Sequence, residues 1–300
     1  MPPRPTNGHK GTFGRVLIIG GSRDMPGAPV LAGLAALRMG SGLVQVAMPR
    51  AMLSGALSFA PELIGLGLTK DGDGEKSDRG KLKTAIASAD VVVIGCGMGV
   101  SRDSHDRLRT VLKGKTPVVI DADALNVLAI GKRWPSEMPS AVLTPHPGEM
   151  KRLAKFVGES EVPTHNTGRL ALAIAFAEMS GQVVVLKGHR TVVVDGVAGG
   201  SADGEASRDA YVNTTGDDSL GKAGTGDVLA GMIASLIGQG MQRFEAASVG
   251  VYLHGLAGEI AGRKFGTRSV LARDVIDSIS DAIALATGDS TRAGEIAFPE

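Results

Sequence analysis

Aromatic residues are scarce in this chain of 300 residues: one Trp, two Tyr and seven Phe make up only 3% of it. With so few rings to fill an interior, the core must be built from Val, Leu, Ile and Ala, which buried parallel strands flanked by helices use heavily. Cysteine is scarcer still. The single Cys96 excludes an internal disulfide and any zinc site built on a cysteine pair, and it fits a reducing cytoplasm. Excess charge of either sign is also missing: 32 Lys and Arg face 31 Asp and Glu, for a net charge of +1. These charges are scattered, which argues against nucleic acid or an anionic membrane surface and for a small-molecule partner. No apolar run approaches the length of a membrane span, and the opening MPPRPTNGHK has no stretch of signal-peptide type. The expectation is a cytoplasmic protein with no membrane contact.

Glycine, by contrast, is plentiful at 43 residues, dispersed along the chain and mostly placed just after apolar runs. In open α/β sheets that position is the carboxyl edge of the strands, where ligands bind. The densest example is NTTGDDSLGKAGTGDVLAGMIASLIGQG at 213–240, where Gly224, Thr225 and Gly226 lead into Asp227. Val228, Leu229, Met232, Ile233, Leu236 and Ile237 then recur at helical spacing, so a glycine turn feeds a buried helix starting near Asp227. Free N–H groups at such a helix start attract phosphate. A carboxylate set against phosphate costs Coulomb energy unless it has other work, and accepting a proton from an attacking hydroxyl is such work. The blander alternative makes Asp227 a helix-start residue and the glycines a simple turn.

Taken in order, residues 1–14 read as an irregular lead-in and RVLII at 15–19 as a buried strand ending in Gly20 and Gly21. A helix over about 29–39 and the strand LVQVA complete a first strand–helix–strand unit. A short helix and a strand near 62–66 follow. KDGDGEKSDRG at 70–80 has Asp71, Asp73 and Glu75 in a calcium-loop rhythm, but Lys76 stands where that loop needs Gly, so a solvated surface loop is the better reading. DVVVIGCGMG at 90–99 is a strand and glycine turn, with a helix over about 101–112 and the strand PVVID after it. DADALN at 121–126 and TPHPGEM at 144–150 put Asp121, Asp123, Asn126, His146 and Glu149 at strand ends. The prolines of the second turn exclude helix before Gly148 and hold His146 at the sheet edge. KGHRTVVVDG at 187–196 predicts a β-ribbon whose turn carries Lys187, His189 and Arg190, side chains that suit a nucleotide or a solvated surface equally. Two last helices cover about 244–264 and 272–286. No internal repeat or linker appears, so one domain is expected over 1–300, with a flexible tail at 288–300.

Two nucleotide motifs are near misses. GCGMGV carries Val100 where the dinucleotide fingerprint requires its third glycine, and the P-loop spacing of Gly216, Gly221 and Lys222 ends in Ala223 where a Ser or Thr is needed. Hydrolase elbows and the His-Glu-x-x-His zinc motif are absent.

Read together, DADALN, TPHPGEM, LKGHRT and GTGDVLAG, in this order and spacing, resemble the ADP-dependent NAD(P)H-hydrate dehydratase family of the ribokinase-like superfamily. The resemblance runs from HKGTFGRVLIIGGS to GVYLHGLAGE. It implies an α/β fold, a three-layer αβα sandwich with a central, mostly parallel sheet. It also implies repair of the S epimer of hydrated NADH or NADPH, with ADP consumed, AMP and phosphate released, and Mg²⁺ accompanying the diphosphate. By the same resemblance Ala28, Gly99, His146 and Asp227 meet the hydrated nicotinamide, and Asp227 is catalytic. Lys187, Gly188, His189, Arg190, Thr191, Gly224, Thr225 and Gly226 meet the nucleotide. A separate NAD(P)H-hydrate epimerase and a homo-oligomer, a tetramer, are further implications. The chain departs from the family pattern at Cys96 and Met98, at Asp217 and Asp218 in place of Asn-Pro, and at Ala223 in place of Gly. The alternatives are a vitamin-precursor or sugar kinase with the same turn and base, and a nucleotide-binding protein without catalysis.

Overall fold

Strands so uniformly apolar must be covered on both faces, and the computed structural model shows how this is done; it describes residues 1–68, 75–197, 199–200 and 206–288. The chain runs β1 (Arg15–Ile19), α1 (Ala28–Arg38), β2 (Leu43–Pro49), α2 (Arg50–Leu57), β3 (Ile64–Leu68), α3 (Glu75–Ser88), β4 (Val91–Ile94), α4 (Arg102–Leu112), β5 (Val118–Ile120) and α5 (Ala122–Ile130). It continues through β6 (Ala141–Leu143), α6 (Pro147–Leu153), α7 (Asn166–Ser180), β7 (Val183–Leu186), β8 (Val192–Val194), a small ribbon of β9 (Gly199–Gly200) with β10 (Ala206–Ser207), and β11 (Ala210–Val212). Four helices close the fold: α8 (Thr225–Gly238), α9 (Arg243–Phe265), α10 (Ala272–Asp277) and α11 (Ile279–Thr287).

The main sheet has nine strands in the order β11-β8-β7-β6-β5-β4-β1-β2-β3. From β3 across to β7 every pairing is parallel, and β8 and β11 each run antiparallel to the neighbour before them. The chain thus winds outward through β2 and β3 and then returns to lay β4 on the other side of β1. That reversal opens a crevice at the carboxyl ends of β1 and β4, where ligands of such sheets bind. Strand side chains alternate between two layers: Val16, Ile18, Val91, Val93, Val183 and Val185 face α1, α8 and α9, and their neighbours face α3 to α7. Both layers are filled mainly by aliphatic residues, as the shortage of rings requires, with Phe176 fully buried in the second.

Close helix packing carries the glycine-rich stretch into the crevice. A Cβ on Gly231 would collide with the carbonyl of Ala32, so this glycine lets α8 lie directly on α1. Gly224, with φ of 94°, then sits against Leu31 and starts α8 in a left-handed conformation that favours glycine.

Several boundaries differ from the sequence expectation for physical reasons. The helix α8 starts at Thr225, close to the expected start near Asp227, and this puts Asp227 inside its first turn. Pro147 opens α6 because a first-turn residue needs no N–H, which moves that start ahead of Gly148. The expected last helix is broken at Ser278, whose hydroxyl donates to the Asp274 carbonyl and bends the chain. The strand placed near 62–66 runs Ile64–Leu68. The lead-in is held down: Arg4 stacks on Phe13 and donates to the Gly40 carbonyl at 2.9 Å. The surface loop expected over 70–80 is helical from Glu75, where α3 begins, while Asp71, Asp73 and residues 289–300 lie outside the described residues, as do the side-chain surroundings of Glu75.

Candidate active site

Five polar turns converge on the carboxyl edge of the sheet: those after β1, β4, β5, β6 and β7. The β4 turn is tied to its neighbours through the backbone, since Gly21 donates its N–H to the Cys96 carbonyl at 2.8 Å. A Cβ on Gly97 would lie 3.0 Å from that of Ala28, which places the start of α1 against this turn. Gly99, at φ 71°, donates its N–H to Asp123 at 2.7 Å, joining the turn to the first residues of α5. Asp123 in turn accepts from Asn126, and Asn126 from Arg152 at 2.9 Å.

Lys187 is the hub. Its side chain is 17% exposed, and its ammonium donates to Asp121 at 2.7 Å and lies 4.0 Å from Glu149, two carboxylates that are 2% and 4% exposed. Asp121 also accepts from Thr144 at 2.8 Å. The same ammonium would be 3.4 Å from a Cβ on Gly226, so it stands over the first turn of α8. His146 is the N-cap of α6: its Nδ1 accepts from the N–H groups of Gly148 and Glu149, while Glu149 accepts from the His146 N–H at 2.8 Å. This reciprocal cap leaves the His146 ring half-exposed, with Nε2 3.2 Å from Glu149.

Asp227 completes the constellation. Its carboxylate, the Asp121 carboxylate and the Cys96 sulfur offer atoms all within 4.8 Å of one another. Burial, then the charge of Asp121, pushes the Asp227 carboxyl up to about 7, against the opposing pull of a Cys96 hydrogen bond and of Lys187. A base poised near neutrality takes and returns protons with little waste of driving force. Burial likewise raises Glu149 to about 7 although Lys187 opposes it, and burial with Lys187 lowers the pKa of His146. For Lys187, burial works against the charge, but Asp121 and Glu149 outweigh it and raise its pKa.

The NAD(P)H-hydrate dehydratase family model matches residues 16–281. The chain belongs to that family. It is 37% identical over 273 residues to the ADP-dependent (S)-NAD(P)H-hydrate dehydratase of Neisseria meningitidis, a match covering 88% of this chain and 82% of the relative. It is 39% identical over 281 residues to a bifunctional NAD(P)H-hydrate repair enzyme of Moorella thermoacetica, covering 92% of this chain but 50% of that one. The chain thus spans about half the length of the bifunctional relatives. Among solved structures, the ADP/ATP-dependent NAD(P)H-hydrate dehydratase of Bacillus subtilis, co-crystallised with ATP and Mg²⁺, is 30% identical with a TM-score of 0.77, covering 94% of this chain and 93% of that one. The central parallel sheet with helices on both faces is the dehydratase fold expected from the sequence.

In this dehydratase-family chain the residues expected at the nucleotide take different surroundings. Gly188, His189 and Arg190 are exposed on the turn between β7 and β8, with Arg190 at φ 56°. Thr191 closes that turn by donating to the Gly188 carbonyl at 2.9 Å. Thr225 points inward, its hydroxyl against the carbonyls of Leu220 and Lys222. Only Lys187 of the set reaches the carboxylates.

Two supporting residues escaped the sequence reading. Arg169 of α7 is 6% exposed and donates to the carbonyls of Leu186, Lys187 and His189, clamping the strand end that presents Lys187. It sits in an alanine-rich helix, where a lone Arg reads as surface charge. Buried His254 of α9 places Nε2 2.9 Å from the Thr225 carbonyl. Burial lowers its pKa to about 4, so the ring is neutral and Nε2–H donates, bracing the turn that carries Asp227. Nothing in the local pattern sets it apart, since α9 also carries Arg243, Glu245, Glu259, Arg263 and Lys264.

The departures from the family pattern are locally absorbed. Asp217 caps the short turn at Asp218–Leu220 by accepting from the Ser219 N–H, and Asp218 accepts from Thr267. The trio of Cys96, Asp121 and Asp227 does not suit a resident Mg²⁺, which takes oxygen ligands in octahedral geometry, because it includes a thiol and Asp121 already holds the Lys187 ammonium.

The two raised carboxyls make a stability prediction. A carboxyl whose folded pKa exceeds its unfolded value favours the folded state most below the unfolded pKa, and this contribution is lost as pH rises through the folded value. For Glu149 the window is from about 4.5 to about 7. Glu149→Gln removes the titration, so it should stabilise the protein relative to the parent at pH 8 by roughly 1–3 kcal/mol, with the gain vanishing by about pH 4. Thermal unfolding of both proteins across this range checks it; a difference independent of pH would contradict the burial argument.

Proposed function

We propose that this chain dehydrates the S epimer of hydrated NADH or NADPH in an ADP-dependent reaction, returning NAD(P)H and releasing AMP and phosphate. The observation that carries the reading is Asp227: a half-buried carboxyl with its pKa raised to about 7 in the first turn of α8, next to a glycine turn suited to phosphate. The substrate has a hydroxyl at C6 beside the ring nitrogen, and hydroxide is a poor leaving group. Asp227 takes the hydroxyl proton as that oxygen bonds to the β-phosphorus of ADP, and the bond from phosphorus to the AMP oxygen breaks. The ring nitrogen then pushes its electron pair toward C6, the C6–O bond breaks with phosphate leaving, and loss of the C5 proton restores the dihydropyridine. The N–H groups of the Gly224–Gly226 turn and the Lys187 ammonium oppose the charge on the transferring group.

Magnesium would enter with the diphosphate, on whose oxygens it neutralises charge. Ala28, Gly99 and His146 line the nicotinamide side of the crevice in this reading, and the 187–191 turn lies on the nucleotide side. The reading carries with it a cytoplasmic homo-oligomer working beside an NAD(P)H-hydrate epimerase. Purified protein given hydrated NADH, Mg²⁺ and either ADP or ATP should restore NADH absorbance faster with ADP. An equal or greater rate with ATP at matched magnesium would contradict the assignment of ADP as donor.

A further inference from the structure

Cys96 has no part in the mechanism above, yet its place at the crevice is closely fixed. It is fully buried and flanked by Gly95 and Gly97 at φ 126° and 61°, conformations that other residues rarely adopt. A Cβ on Gly95 would collide with the Asp121 carbonyl, and one on Gly97 would come within 2.7 Å of the Met25 carbonyl. The Cys96 carbonyl is itself held by Gly21. The backbone therefore cannot swing, and the sulfur stays within 4.8 Å of carboxylate oxygens of Asp121 and Asp227. Burial raises the thiol well above its ordinary pKa, so the sulfur keeps its hydrogen and has it to donate. Lys187 and Thr144 both donate to Oδ1 of Asp121, and the side-chain hydrogen-bond partner of the thiol is Asp227.

We propose that Cys96 is a positioning residue for the general base: its thiol donates a hydrogen bond to the Asp227 carboxylate, fixing its direction and favouring the form that accepts a proton. The inference rests on the reading of Asp227 as the base. The other groups facing Asp227 are Asp121 at the end of β5, Asp123 on α5 and Lys187 at the end of β7, with Glu149 of α6 beyond Lys187 and neutral His254 of α9 behind Thr225. Both carboxylates disfavour a charge on Asp227. The thiol and Lys187 oppose them.

Two measurements test it. Because the chain has one cysteine, the S–H stretching band of the infrared spectrum reports Cys96 alone. The band should lie at the lower frequency of a thiol bonded to a carboxylate and should move upward in Asp227→Asn, where the acceptor is neutral. The second is the pH profile of kcat/KM for the hydrate at saturating ADP and Mg²⁺, where nucleotide titration is common to all proteins compared. Cys96→Ala should move the acid limb upward by about one pH unit, the size expected of a hydrogen bond to a charged group. Cys96→Ser, which keeps a donor, should hold it at or below the parental position. An S–H band identical in the parent and Asp227→Asn, or a Cys96→Ala profile superimposed on the parent's, overturns the proposal. Should the band shift as expected while Asp227→Asn retains parental turnover, the contact stands and the base assignment, with the catalytic part of the proposal, falls.

Discussion

Replacing Asp227 by Asn is expected to reduce turnover by roughly two to four orders of magnitude, because Asn keeps the shape of the side chain but cannot take the hydroxyl proton. Nucleotide binding should survive and could only gain from the loss of a repulsive carboxylate beside the diphosphate. A residue that serves merely to start a helix would behave differently. Asn and Asp are comparable at helix starts, so the substitution would then leave rate and stability close to parental. NADH recovery, ADP titration and thermal unfolding of the one variant separate these outcomes. A folded Asp227→Asn protein with near-parental turnover would end the assignment.

The second large effect belongs to Lys187. In the sequence it is one of three nitrogen-bearing side chains on a turn, but in the structure it alone is inserted between Asp121 and Glu149, while Arg190 stays exposed. Lys187→Met keeps the apolar stem and removes the charge, leaving Asp121, 2% exposed, without its cation. Breaking a buried pair from one side costs about 3 kcal/mol. The same variant should lose about a hundredfold in kcat/KM for ADP, since it removes the ammonium that stands over Gly226 and two uncompensated carboxylates would face the phosphates. Arg190→Ala, on the exposed turn, should lose far less. Equal effects of the two substitutions on stability and on ADP dependence would contradict the hub assigned to Lys187.

How far these residues could be read beforehand follows from what each depends on. The strands VVVI at 91–94 and VVVL at 183–186 are apolar on both faces and run into glycine within two residues, at Gly95 and Gly188, a pattern that admits little besides a buried parallel strand with a turn at its carboxyl end. Asp227 was visible because its chemistry is local, a carboxylate set in a run of glycines. Lys187 was visible as a residue but not as a hub, because its partners Asp121 and Glu149 lie 66 and 38 positions earlier and meet it only after the sheet has formed. Arg169 and His254 were invisible for a related reason: each acts on backbone carbonyls, of residues 17 to 29 positions away, and a carbonyl leaves no mark on sequence pattern. Helix boundaries were misplaced by a turn or less where a single capping or back-bonding contact decides them, as at His146 and Ser278.

The central claim is that the substrate's hydroxyl leaves as phosphate after transfer from ADP. The most direct test supplies hydrated NADH whose C6 hydroxyl carries heavy oxygen, with ADP and Mg²⁺, and follows the isotope by mass spectrometry. The account predicts that the label appears in inorganic phosphate, in equal amount to the AMP and NADH formed, with no phosphoester accumulating. Label released as water would contradict phosphorylation of the hydroxyl, and label retained in a stable phosphorylated product would make the protein a kinase of the same fold.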